Sequence, residues 1–153
     1  MRISGASFPT IKIGIIGAMI LIIVAITVPS LMRAGGAQKE VSAINTLKTL
    51  NMACAEYSAT FTLYPASLTN LEKGSGNGLS STSADLIDSS LASGTKNGYI
   101  FTYVRAGSGT GYAISASPVK AHQADARHFF NDQSGVIRFA IGQDADALAA
   151  PVQ

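Results

Sequence analysis

IGIIGAMILIIVAITVPSLM, residues 13–32, holds twenty residues without a charge, and Lys12 and Arg33 close its two ends. At about 1.5 Å of rise per residue, a helix of that length covers about 30 Å, the hydrocarbon thickness of a bilayer. A removable secretory signal has an apolar stretch of only about 7–15 residues, so the longer run reads as a retained anchor. Flanking charge is nearly balanced: Arg2 and Lys12 precede the run, while Arg33, Lys39 and Glu40 follow it. The balance slightly favours an N-terminus in the cytoplasm. The run therefore predicts a membrane-spanning helix over 13–33, after a stub or leader over 1–12.

The helix is expected to continue as an amphipathic half over 34–62. Val41, Ile44, Leu47, Leu50, Cys54, Tyr57 and Phe61 recur at spacings of three or four, which draws one apolar stripe along a helix. Ala43, Ala53 and Ala55 fill beside it, and Lys39, Glu40, Asn45, Lys48, Asn51 and Glu56 are assigned to other faces. Gly35 and Gly36 each cost about 1 kcal/mol of helix propensity against alanine and mark a flexible joint. Pro65 disfavours helix in the residue before it and ends the element. Pro29 lacks the donor for a bond to residue 25.

Residues 63–97 read as a variable loop. It holds a helical turn at Ser67–Leu71 and a short helix at Ala84–Leu91, N-capped by Ser or Thr and stopped by Gly94. From Gly98 the apolar period changes to two. Tyr99, Phe101 and Tyr103 alternate with polar or smaller residues, Tyr112, Ile114 and Ala116 repeat the pattern, and His128–Phe130 and Val136–Phe139 flank the turn residues Asn131–Gly135. Four short antiparallel strands over 98–141 are expected, with a flexible tail over 142–153. The predicted fold is α+β: a long N-terminal helix, membrane span plus amphipathic half, packed on a small four-stranded antiparallel sheet. Val41, Ile44, Leu47, Leu50, Cys54, Tyr57 and Phe101 are the expected helix–sheet core.

Charged residues make up 13 % of the 153-residue chain, about half the usual share. Its polar surface must come from Ser, Thr, Asn and Gly, a near-neutral coat suited to dense packing against copies of itself. The net charge of +2 and the scatter of Lys and Arg speak against nucleic acid as a partner. One cysteine excludes an internal disulfide, and its place in the stripe makes it a core thiol. No motif of hydrolases, zinc proteases, nucleotide sites or haem attachment is present, so no enzyme and no cofactor are predicted. His122 and His128, with Asp125 between them, fall short of the three or four ligands a metal needs. Asp125, Asn131 and Asp132 offer oxygens for calcium, but Asp132 stands in a turn that favours Asp for its own reasons. Tyr57, Phe61, Tyr64, Tyr99, Phe101 and Tyr103 are expected as core aromatics.

Several stretches together resemble the type IV pilin and pseudopilin superfamily, closest to pilin-like proteins of the acidobacterial type. The spacing from Phe8 to Pro29 and the segment Ala25-Ile26-Thr27-Val28-Pro29-Ser30-Leu31-Met32-Arg33 are similar to that family's N-terminal helix. So are Ala43–Asn51, Tyr64-Pro65-Ala66-Ser67-Leu68, Gly98–Tyr103 and Phe129–Arg138. The resemblance implies a filament subunit that assembles as a homo-oligomer through Phe8, Lys12, Ile13, Ile16, Ile20, Ile23 and Pro29. It implies residence in the inner membrane before assembly and at the cell surface afterwards. Its implied partners are an assembly platform with its ATPase and a prepilin peptidase. In such a filament subunit the missing Pro29 donor is expected to let the helix melt over about Val24 to Pro29, more in the filament than in the membrane-bound monomer. Two positions depart from the pattern. Ser7 stands where the family has its processing glycine, and Lys12 where it has a glutamate that neutralises a neighbour's N-terminal amine. Processing before Phe8, processing after Gly5 and retention of the stub all stay open. The alternative functions are a type II secretion pseudopilin and a permanently anchored single-pass protein with an external binding domain.

Overall fold

The computed structural model describes residues 8–74, 80–119 and 126–152, with side chains from Gly35 onward. The chain divides into two compact units, Met1–Gln38 and Lys39–Gln153. Helix α1, Phe8–Phe61, contributes to both. Its backbone is helical through Gly35 and Gly36, where an added Cβ would meet nothing within 4 Å. Among the described residues no helix is long and apolar enough to cross a membrane. The membrane span expected over 13–33 is not found among the described residues, where the part of α1 with described side chains, Gly35 to Phe61, carries Lys39, Glu40, Lys48 and Glu56. The side chains of the run 13–32 lie outside the described residues.

Helix α1 ends at Phe61, within one residue of the expected bound of 62. Thr62 takes φ +69° and donates its backbone N–H to the Ser58 carbonyl at 2.8 Å, a left-handed helix cap usually formed by glycine. The turn lets Tyr64 N–H reach the Gly109 carbonyl at 2.9 Å and sets the Tyr64 ring against Tyr112, centroids 4.8 Å apart. A 3-10 turn follows at Leu68–Leu71, where Asn70 Oδ1 accepts the Ser67 N–H at 3.0 Å. The next helix, α2, covers only Ser89–Ala92. Asp88, not an upstream Ser or Thr, caps it by accepting the Leu91 N–H at 2.9 Å. The expected helical start at Ala84 is instead non-helical, with Asp85 at φ +55°. Ala84, Leu86 and Ile87 donate to the Asn70 and Leu71 carbonyls, and that pairing outweighs local helix preference.

The sheet has six antiparallel strands, not four, in the order β1 Thr95–Lys96, β2 Tyr99–Arg105, β3 Tyr112–Pro118, β4 Arg127–Asp132, β5 Arg138–Ile141 and β6 Ala150–Pro151. The two additions are outermost strands of two residues, too short to show a period. β1 and β2 are joined by Asn97–Gly98 with φ +51° and +84°, the pair of positive angles that a two-residue hairpin turn requires. β6 folds the C-terminal segment, expected to be flexible, back onto β5. Phe139 pairs with Ala150, Arg138 Nη1 donates to the Ala149 carbonyl at 3.1 Å, and Val152 N–H donates to the Ile137 carbonyl at 2.8 Å. β5 also starts two residues later than the apolar pattern suggests. Ile137 packs into the core before the strand begins.

The register sets Phe101 opposite Ala116, Ala116 opposite Phe129 and Phe129 opposite Phe139. On the same sheet face lie Tyr99, Tyr103, Tyr112, Ile114 and Asn131. Ile100, Thr102 and Val104 alternate to the other face and are exposed. The inner face and one side of α1 share a single core with Leu68, Leu71, Ile87 and Leu91.

Candidate assembly surface

The covered side of α1 fixes which side is free. Ala43, Thr46, Leu47, Leu50, Ala53, Cys54 and Tyr57 are buried, and Ile44 and Phe61 are partly buried against the same core. Phe101 is buried opposite them, 4 % exposed. Val41 is not part of this core: it is 58 % exposed. A helix turns about 100° per residue, so each step of three falls about 60° short of a full turn. The steps Val41–Ile44–Leu47–Leu50 drift by about 180° in total, which leaves Val41 opposite Leu50. Ala43 holds the core position instead.

Polar contacts lock the rotation of this part of α1 on the sheet. Asn51, expected on an outer face, is half-buried. Its Nδ2 donates to Tyr112 Oη at 2.6 Å and lies 3.2 Å from both Asn131 Oδ1 and the Asp132 carbonyl. Asn131 is fully buried, and its Nδ2 has no partner among the described residues. Asn97 Nδ2 donates to Ser42 Oγ at 2.6 Å, and Glu40 lies 3.6 Å from Arg127. The Arg127 guanidinium also stands 5.0 Å above the Phe139 ring. At the other end Tyr57 Oη donates to the Ser81 carbonyl at 2.6 Å. The one sequence signal for these locks is the polar residue directly after Leu50, at the border of the stripe.

The titratable groups in and around the core are built for packing. Burial pushes the Cys54 thiol up to about 12, so it carries no reactive thiolate at neutral pH. Burial likewise pushes Tyr99 up to about 12, and raises Tyr103 and Tyr112. Asp88 is held well below the usual carboxylate range by its hydrogen bond from Lys96, then by the Leu91 N–H and Ser90.

His128 is buried and faces Ser117 and Asp144, but both oxygens approach the same ring nitrogen, Nδ1, at 3.2 and 2.9 Å. A nucleophilic triad needs the hydroxyl and the carboxylate on opposite ring nitrogens. The cluster instead ties the C-terminal segment to the outer sheet face. Asp132 Oδ1 accepts the Ser134 N–H at 2.8 Å within the β4–β5 turn, and Asn131 is turned into the core. His122 and Asp125 lie outside the described residues. Among the described residues no three His, Cys, Asp or Glu side chains converge as a metal site.

On the free side, Val41, Asn45, Lys48, Met52, Ala55 and Ala59 follow one another at alternating steps of four and three and are all exposed. This ridge points directly away from Leu47 and Leu50. Met52 is 72 % exposed at its middle, and Ala55 and Ala59 make the ridge low enough for another helix to approach closely. The proposed assembly residues Phe8, Lys12, Ile13, Ile16, Ile20, Ile23 and Pro29 lie on the backbone of α1, but their side chains are outside the described residues, as are Gly5 and Ser7. No protein-family model, curated protein or solved structure matches the chain.

Proposed function

We propose that this chain is a structural subunit of a type IV pilus-like surface filament, assembled from many copies through the apolar segment 13–32. The observation that carries this reading is the sequence of one helix. Twenty uncharged residues lead into a half whose one side is covered by the sheet and whose other side is a bare, low ridge. An apolar segment is satisfied equally by lipid and by a bundle of like segments. The inner membrane holds such a subunit before assembly, and the cell surface displays it afterwards. The chain carries no nucleotide-binding motif, so an ATP-driven assembly platform supplies the work of extraction. The small charged fraction supports close packing of identical subunits, since little like-charge repulsion has to be overcome.

Immunogold electron microscopy of material sheared from the cell surface, with antibody against residues 39–153, tests this. Labelled filaments that vanish in a deletion strain are the expected result. A deletion strain that loses protein secretion while no surface filament is ever labelled would point to a pseudopilin. Chain found only in the membrane fraction, with neither phenotype, would leave a permanently anchored protein.

A further inference from the structure

We propose that neighbouring copies align their α1 helices in parallel with an eight-residue stagger, so that Lys48 of one copy meets Glu56 of the next. This names the packing register of the filament proposed above and rests on that reading. Lys48 stands on the bare ridge and Glu56 borders it beside Met52; both are exposed, and neither makes an ion pair among the described residues. They are eight positions apart, so they lie about 80° apart around the axis, one on each flank of Met52. The separation is too wide for them to meet on their own helix, where pairing needs a spacing of three or four.

A ridge with a cation on one flank and an anion on the other is complementary to a copy of itself placed alongside. Such a contact is heterologous: one flank of each copy meets the opposite flank of the next, and the contact repeats without closing. For parallel helices, Lys48 and Glu56 come level when one copy is advanced by about 12 Å along the axis, eight residues at 1.5 Å each. The small side chains of Ala55 and Ala59 let the backbones come close enough for the pair to form. An antiparallel pair centred on Met52 also brings Lys48 to Glu56. It sends the two apolar segments 13–32 in opposite directions, however, and they can then share neither one membrane nor one filament core. Parallel packing brings all of those segments together.

The test is made in full-length chain in its own cells. Cys54 is buried, so the double variant K48C/E56C presents two accessible thiols. Oxidised sheared filaments of this variant are expected to run as a ladder of covalent oligomers on a non-reducing gel, while K48C and E56C alone stay monomeric. In parallel, K48E and E56K should each lower filament yield several-fold, and K48E/E56K should restore it. Melting of the detergent-extracted variants is expected to match the parent, which separates an assembly defect from a folding one. Filaments without a ladder and indifferent to charge reversal would overturn the register and leave the filament reading standing. Covalent dimers with nothing larger would mean antiparallel pairing and overturn it as well. If the parent chain forms no filaments, the filament reading fails and this register with it.

Discussion

Leu47 has no exposed surface and sits where the helix stripe meets the sheet. Replacing it by Asp puts an unpaired charge into a packed core, at a cost on the order of 4 kcal/mol. Chemical denaturation of residues 37–153 is the measurement, and a Leu47→Asp chain that unfolds like its parent would mean that this face is not the core. Cys54 and Tyr99 have a second consequence, for alkaline stability. Their protons are held in the folded chain up to about pH 12, whereas an unfolded thiol releases its proton near 8.5 and an unfolded phenol near 10. Above those values the native state binds more protons than the unfolded one, so stability falls as pH rises from about 8.5 to 12. Urea midpoints should decline over that window, and Cys54→Ala should remove the earliest part of the decline. Thr62 offers the opposite lever. A β-branched residue at φ +69° costs about 1 kcal/mol relative to glycine, so Thr62→Gly should raise the melting temperature despite deleting a side chain.

The elements differ in how much of them the sequence declares. The stripe from Leu47 to Phe61 was legible because steps of four and three keep one helix face aligned, and β2 to β4 were legible because period two persists for several residues. Val41 misled because successive steps of three look periodic on paper but wind around the helix. β1 was announced by Asn97–Gly98, a hairpin dipeptide, yet its two residues are too few to register as a strand. β6 has no local signal at all: Ala150 and Pro151 become a strand because β5 presents an edge, and Pro151 closes that edge by lacking a donor. The locks through Asn51 and Asn97 depend on residues distant in sequence and could not be read in advance. The turn itself gives a test. Gly98 sits at φ +84°, with the Lys39 side chain 3.4 Å from where a Cβ would stand. Gly98→Ala should cost about 1–2 kcal/mol, measured as a lower denaturation midpoint, while Gly107→Ala in open space should cost much less.

For the molecule as a whole, residues 39–153 carry their own core. A chain starting at Ala37 should therefore fold, stay in solution without detergent and sediment as a monomer at high concentration. Filaments grown from that shortened chain would remove segment 13–32 from the assembly. In the proposed filament the bare ridge of α1 would add register to copies gathered by their apolar segments.

Mass spectrometry of purified filaments sheared from the cell surface addresses the proposed role most directly. Peptides spanning residues 35–153 should make this chain the dominant protein of the filament, and the N-terminal peptide should report whether the filament subunit begins at Met1, Ala6 or Phe8. Surface filaments devoid of this chain, with its peptides confined to the membrane fraction, would contradict a structural role in the filament.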